Sequence, residues 1–81
     1  MNRIILRFSL NNDTRSAVRN DVADFLQIGG FSNTKTGTWE AAGTPAAMAA
    51  VGTALNMLAN PAQISGADPA VATDHIWFYV D

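Results

Sequence analysis

The sequence predicts an α+β fold in which two helices cover one face of an antiparallel sheet. Three observations support this prediction. Strand-like segments lie near both ends of the chain, the first with alternating apolar and polar residues and the last apolar on both sides. Two inner segments carry apolar residues at helical spacing, and a β-prone segment around Gly37 separates those two helices. The predicted element order is therefore strand, helix, strand, strand, helix, strand.

The first strand and the first helix lie in the first third of the chain. In residues 3–9 every even position is apolar, which is typical of a strand with one buried face. Residues 11–14 read Asn-Asn-Asp-Thr and offer side chains that cap helices, and apolar residues then recur at helical spacing up to Gly29-Gly30. We therefore predict a strand over 3–9 and a helix over 13–28.

The next predicted elements are a hairpin and the second helix. Residues 31–36 and 38–42 are rich in Thr and aromatic residues and flank Gly37, which favours two paired strands. Thr44-Pro45 supplies an N-cap followed by proline at the first helical position, and apolar residues then follow at spacings of three and four. Asn60-Pro61 predicts the end of this helix.

The last third of the chain is predicted to be a loop and a closing strand. Residues 62–73 have no clear periodicity and contain Gly66 and Pro69, which indicates a loop. Residues 74–81 alternate so that one set of apolar side chains faces the core and a second set faces away. The last predicted strand is therefore apolar on both sides.

Each strand-helix-strand half must pack its helix on the same sheet face, because both helices share one core. This order is that of the ferredoxin-like βαββαβ fold, and residues 1–81 are predicted to form one such domain. The predicted core consists of ten residues: Leu6, Phe8, Val18, Val22, Phe25, Met48, Val51, Leu55, Ile76 and Phe78.

The sheet face away from the helices is predicted to carry an uncovered apolar patch. Ile5, His75, Trp77 and Tyr79 belong to this face by alternation, and we also assign Trp39 to it. Such a patch indicates a partner, and a second copy of the chain is the partner we expect. The predicted binding residues are Arg3, Arg7, Trp39, His75, Trp77 and Tyr79.

Charge and composition limit the classes of function. A net charge of -2 with only five Lys plus Arg does not suit strong non-specific binding to nucleic acid, although four arginines in the first quarter allow a local basic patch. The absence of cysteine excludes a disulfide framework and a cysteine nucleophile. We expect no membrane partner, because no apolar run has membrane-spanning length. We also expect a cytoplasmic protein without a cofactor.

Three segments of the chain resemble a known family. They are Leu6-Arg7-Phe8-Ser9-Leu10, Gly30-Phe31-Ser32-Asn33-Thr34 and Ile76-Trp77-Phe78-Tyr79-Val80. With the element order, they resemble the small ferredoxin-like group of the CRISPR-associated integration subunit, the virulence-associated protein D toxins and the GhoS-type antitoxins. The resemblance implies a dimer that acts in toxin-antitoxin pairing or in phage defence.

The chain departs from the nucleases of that group at one position. In those nucleases an Asp follows the strand aromatic residue, and two copies related by the dimer axis hold a divalent metal there. This sequence has Ser9 at that position, and a neutral hydroxyl is a poor magnesium ligand. Asp13 is the nearest carboxylate downstream, and we interpret it as a helix cap. Ser9 and Asp13 are the candidate catalytic residues.

The leading hypothesis is a homodimeric regulatory binding protein without catalysis, or one that is catalytically impaired relative to the related nucleases. The alternative is a metal-dependent endoribonuclease with relocated catalytic residues, and magnesium is expected only in that case. Its candidate residues follow the first strand and are Ser9, Asn11, Asn12, Asp13 and Arg15.

Three other functions have weaker support in the sequence. A hydrolase triad of Ser9, His75 and either Asp13 or Asp74 lacks a nucleophile elbow around the serine. Aromatic residues beside arginines resemble platforms that stack RNA bases, so RNA and a foreign protein are the other candidate partners. A small-molecule enzyme built on a dimeric barrel would require an enclosed pocket between sheet and helices.

Overall fold

The computed structural model describes residues 2–81, which form one antiparallel sheet and two α-helices. Neighbouring strands of the sheet are antiparallel and lie in the order β2-β3-β1-β4. The fold is α+β and consistent with the predicted ferredoxin-like arrangement. Within the described residues, no helix is both long enough and apolar enough to cross a membrane. The elements are β1 (Arg3–Asn11), α1 (Ala17–Ile28), β2 (Ser32–Lys35), β3 (Thr38–Ala42), α2 (Pro45–Ala59), a 3₁₀ turn (Pro61–Gln63) and β4 (Ala72–Val80).

Strand β1 is central, because it pairs with β3 on one side and with β4 on the other. Ile4, Leu6 and Phe8 are buried beneath the helices and Leu10 is partly buried, as the alternation predicts. Leu6 lies opposite Trp39 of β3 and opposite Phe78 of β4. Directly paired residues share one face of a sheet, so these three side chains lie on the helix side.

Helix α1 begins at Ala17, four residues after the predicted start. The chain turns between the strand and the helix through two residues with left-handed backbone, Asn12 (φ 62°) and Ser16 (φ 56°). Helix α2 begins as predicted, with Pro45 in the first turn and the Thr44 hydroxyl accepting a hydrogen bond from the Ala47 N–H at 3.1 Å. The predicted start of α1 was wrong because the turn through Asn12 and Ser16 separates the strand from the helix.

The core contains half of the ten predicted residues. Leu6, Phe8, Val18, Val22 and Val51 are buried and Leu55 is partly buried, whereas the other four are exposed, and for those the core assignment is wrong. The exposed four are Phe25 (44%), Met48 (40%), Ile76 (40%) and Phe78 (40%).

The phase of helix α2 explains part of this error. Its buried residues are small for the most part: Ala47, Ala50, Val51, Ala54 and Leu58. Met48 lies three residues before the buried Val51, so the spacing places it on the same face, but the buried face is centred on the alanines and Met48 is 40% exposed. The short side chains allow α2 to lie close to its neighbours.

Close contact between the two helices depends on Gly29, the residue that follows α1. A Cβ atom at this position would collide with the Cβ of Ala50 in α2, and it would lie 3.2 Å from the Ala46 carbonyl oxygen. The backbone of Gly29 is right-handed (φ -78°), so the requirement for glycine is steric and not conformational.

We predict that Gly29→Ala lowers the free energy of unfolding by about 1 to 3 kcal/mol, because the two helices must move apart. Gly52→Ala is the matched control within α2, where an added Cβ meets no atom within 4 Å. The control should stabilise the protein by about 0.5 to 1 kcal/mol through helix propensity. Urea unfolding measures both changes, and equal effects of the two substitutions would contradict the helix contact.

Candidate functional site

The sheet face away from the helices, here called the open face, carries the odd-numbered residues of β1 and the odd-numbered residues of β4 from His75 onward. The register places Arg7 opposite Trp77, Ile5 opposite Tyr79, and Ser9 opposite His75. Arg7, Trp77, Tyr79 and His75 are exposed. The structure therefore brings these predicted binding residues together on one face.

The residues from Ile76 to Val80, here called the β4 surface, form a continuous exposed apolar strand. Their exposed fractions are nearly equal, at 40% for Ile76, 43% for Trp77, 40% for Phe78, 42% for Tyr79 and 39% for Val80. The rings of Trp77 and Tyr79 stack on the open face, with centroids 5.6 Å apart and planes at 8°. Both faces of this strand are therefore accessible to a partner.

The helix side of the β4 surface is accessible because β4 is an edge strand. The Thr73 hydroxyl donates a hydrogen bond to the Leu58 carbonyl at 2.6 Å, which ties the start of β4 to the end of α2. Farther along the strand, Ile76, Phe78 and Val80 remain on the helix side but are exposed. The predicted direction of these side chains is confirmed, whereas their predicted burial is wrong.

Arg3 lies at the far end of the open face and is held by two carboxylates. Its guanidinium contacts Asp81 at 3.0 Å and Glu40 at 3.5 Å. The charge of Asp81, and then its hydrogen bond, raise the pKa of Arg3, and Glu40 adds to this increase while desolvation opposes it. Arg3 therefore joins β1 to its neighbours at this end of the sheet, and its charge is compensated within the chain.

Trp39 does not belong to the open face. It is 6% exposed and lies on the helix side, where it is paired with Leu6. The sequence-based assignment of Trp39 to a binding surface is therefore wrong. The bounds of β3 match the prediction, and the error is one of register, because Trp39 pairs with Leu6 and so lies on the face of the buried residues of β1.

A small polar group here called the Asp74 cluster lies at the other end of the open face. The pairing of β1 with β4 shifts register between Ser9 and Leu10, and this irregularity leaves Asp74 without a β1 partner in the ladder. The Ser9 hydroxyl donates to Asp74 Oδ2 at 3.2 Å, and the Asn11 amide donates to Asp74 Oδ1 at 3.5 Å. The three residues of the Asp74 cluster are exposed.

Asp13 caps helix α1, as predicted. Its two carboxylate oxygens accept hydrogen bonds from the backbone N–H groups of Val18 at 3.2 Å and Arg19 at 3.0 Å. A carboxylate at this position satisfies free N–H groups and complements the positive end of the helix dipole. The structure thus gives Asp13 a defined structural role.

The candidate residues after β1 do not form one group. Ser9 and Asn11 belong to the Asp74 cluster, whereas Asn12 donates a hydrogen bond to the Ala70 carbonyl at 3.2 Å. Arg15 is exposed and lines a shallow depression with Asp68. The chain turns away from the open face directly after β1, which separates these side chains.

The geometry does not match that of a hydrolase triad. In such a triad the serine hydroxyl donates to histidine, and the carboxylate holds the other side of the ring. Here the Ser9 hydroxyl donates directly to Asp74, while His75 lies opposite Ser9 in the strand ladder. Among residues 2–81, no three His, Cys, Asp or Glu side chains are grouped so that they could hold a metal ion.

An open depression of about 290 Å³ lies where β1 meets the start of α1. Phe8, Asp13, Ser16 and Arg19 are among the residues that line it. Its polar groups bind one another, because the Arg19 guanidinium donates to the Ser16 hydroxyl at 2.8 Å and Asp13 accepts from the helix backbone. This depression is not the enclosed pocket that a small-molecule enzyme on this fold would require.

Comparisons with protein-family models, with curated proteins and with solved structures gave no match for this chain. The side chains and their geometry are therefore the basis for inferring function. The sequence named Ser9 and Asp74 only as members of a possible triad with His75, and it did not indicate the direct contacts of Asp74 with Ser9 and Asn11. The predicted fold places β1 beside β4. No sequence pattern indicates the register shift that brings Asp74 next to Ser9.

We predict that Asp13→Ala lowers the free energy of unfolding by about 0.5 to 2 kcal/mol, because two N–H groups of α1 lose their acceptor. Asp24→Ala removes the same charge from an exposed position of the same helix and should change stability by less than about 0.5 kcal/mol. Thermal and urea unfolding of both variants provide the test. Similar losses in the two variants would show that Asp13 acts through net charge and not as a cap.

Proposed function

We propose that the protein is a small homodimeric binding protein with a regulatory role of the toxin-antitoxin or phage-defence type, and that it is catalytically impaired relative to the nucleases it resembles. The observation that carries the proposal is the β4 surface, where five consecutive apolar residues are each about 40% exposed. A monomer would leave this strand in water. A second copy can cover it symmetrically, because a two-fold interface uses the same patch twice.

The composition of the β4 surface supports recognition of a protein. Trp and Tyr are the residues that contribute most energy at interfaces, and each buries a large apolar area with few rotatable bonds. Trp77 and Tyr79 already stack on each other, so little side-chain freedom remains to be lost on binding. A rigid aromatic pair of this kind is typical of an interface anchor.

The roles of Ser9 and Asp13 support the non-catalytic part of the proposal. Ser9 stands where the resembling nucleases have a carboxylate, and its hydroxyl is engaged with Asp74. Both oxygens of Asp13 are engaged by the start of α1. Neither residue is arranged as a free nucleophile or as a metal ligand.

We predict that Trp77→Glu shifts the dimer toward monomer by about 2 kcal/mol or more, because a charge replaces an aromatic anchor on each copy. Thr36→Glu is the control, since it adds the same charge at an exposed position of the β2–β3 turn. Sedimentation at several concentrations measures the dissociation constants. A wild-type protein that is monomeric at tens of micromolar overturns the proposal and reassigns the surface to a foreign protein or to nucleic-acid bases.

The alternative function is a metal-dependent endoribonuclease with relocated catalytic residues. The observation that favours it is the position of Asp74, whose carboxylate contacts Ser9 on the open face. In this alternative, Asp74 supplies from β4 the carboxylate that the nucleases of the resembling group carry at the position of Ser9. One chain supplies a single carboxylate here, and magnesium prefers several oxygen ligands in octahedral geometry, so one chain does not by itself form a magnesium site.

We expect little magnesium-dependent RNA cleavage from the purified wild-type protein. The assay uses a labelled single-stranded RNA with magnesium or with EDTA, and it compares Asp74→Asn with Asp13→Asn and with the exposed control Asp24→Asn. Robust cleavage that Asp74→Asn abolishes, and that Asp24→Asn leaves unchanged, would establish the ribonuclease function. Cleavage lost in Asp13→Asn alone would instead favour the residues after β1.

A further inference from the structure

The two edges of the sheet are built in opposite ways. Strand β2 is short, polar and fully exposed, it carries Lys35, and its pairing with β3 is irregular. These are the features by which proteins protect an edge against pairing with another strand. Strand β4 has nine residues, and from His75 to Val80 it contains no lysine, proline or glycine. Only the β4 edge remains open to a further strand.

The exposure of the β4 surface favours a partner beside the strand over a partner above it. Trp77 and Tyr79 lie on the open face, whereas Ile76, Phe78 and Val80 lie on the helix side, and both rows are exposed to the same extent. A partner that packs against the open face covers only the first row. A strand added along the edge places side chains next to both rows at once.

The backbone of β4 offers hydrogen-bonding groups along this edge. The Asp81 N–H donates to the Arg3 carbonyl at 3.1 Å, so Asp81 directs its N–H toward β1. Because backbone groups alternate in direction along an antiparallel strand, Val80, Phe78 and Ile76 direct theirs away from the sheet. The free backbone groups of these three residues and the apolar side chains of the β4 surface therefore lie along the same edge.

We propose that a second copy of the chain adds its β4 to this edge in antiparallel orientation, with the two-fold axis at Phe78. The inference rests on the proposed homodimer and names its geometry. In this register Phe78 pairs with itself, Ile76 pairs with Val80, and Trp77 pairs with Tyr79. Roughly six backbone hydrogen bonds form between the copies, and the two sheets become continuous.

The pairing pattern favours a second copy as the occupant. The same register places the polar residues His75 and Asp81 of the two copies opposite each other, so the apolar stretch of one copy meets only the apolar stretch of the other. With the axis at Trp77 instead, Asp74 would lie opposite the apolar Val80. The strand is therefore self-complementary in the register centred on Phe78.

Cross-linking tests the geometry directly, because the chain contains no cysteine. In the proposed dimer the two Phe78 Cα atoms are about 5.5 Å apart, which a disulfide can span. The two Trp77 Cα atoms lie on a diagonal of about 7 to 8 Å, beyond that range. Phe78→Cys should therefore form a covalent dimer under mild oxidation, and Trp77→Cys should form several-fold less.

A backbone test complements the cross-linking. Phe78→Pro removes an N–H that faces the free edge and leaves the pairing with β1 intact, since proline is tolerated on such an edge. Phe78→Ala is the matched control, because it removes the ring and keeps the N–H. The proline variant should have a dissociation constant at least tenfold higher than the alanine variant, while both keep the circular dichroism of the wild type.

The outcomes separate this inference from the proposed function. A wild-type protein that stays monomeric overturns both. A dimer in which Trp77→Cys cross-links and Phe78→Cys does not is a dimer that packs through the open face, and it overturns the edge geometry alone. Equal dissociation constants for the proline and alanine variants also overturn the edge geometry and leave the proposed homodimer standing. Cross-linking at Phe78 together with the proline effect establishes the continuous sheet.

Discussion

The position of β1 at the centre of the sheet is the constraint on which the rest of the structure depends. This strand buries Ile4, Leu6 and Phe8 under the helices and pairs along both of its edges. Each strand-helix-strand connection must then cross the same face of the sheet, because the helices cover the residues that β1 buries. The open face and the β4 edge are left uncovered as a consequence, and the candidate functional residues lie there.

The small size of the chain increases the share of the sheet that the helices leave uncovered. A domain of about this length buries a smaller fraction of its surface than a larger domain does. The two helices leave β2 and the residues from Ile76 to Val80 of β4 exposed. The helices meet through Gly29 and through alanines of α2, which brings them close together and narrows the layer they form. The apolar residues of β4 beyond Thr73 therefore stay exposed, although their alternation is that of a core strand.

The sequence was sufficient to predict the element order and the buried face of β1, because both follow from periodicity within a single segment. It was not sufficient for Trp39, Phe78 and Asp74. Burial of Trp39 depends on the register of β3 against β1, and exposure of Phe78 depends on how far the helices extend over the edge strand. The contact of Ser9 with Asp74 depends on a local register shift. These properties arise between segments, so no local pattern reports them.

The geometry of the dimer and the choice between the two functions are linked through Asp74. In a dimer joined at the β4 edge with its axis at Phe78, each Asp74 lies four residues from the axis. At roughly 3.3 Å per residue, the two Asp74 Cα atoms are then about 26 Å apart. Ligands of one metal ion must lie within a few ångströms of each other, so two such carboxylates cannot share an ion.

Packing through the open face has the opposite consequence for Asp74. The Asp74 cluster lies on that face, so a two-fold axis near Ser9 brings the carboxylates of both copies together. The cross-linking pattern at Phe78 and Trp77 therefore reports both the geometry of the dimer and whether two Asp74 carboxylates can share a metal ion. An edge-joined dimer leaves Asp74 as a bridge between β1 and β4, held by Ser9 and Asn11, and it supports recognition as the function of the protein.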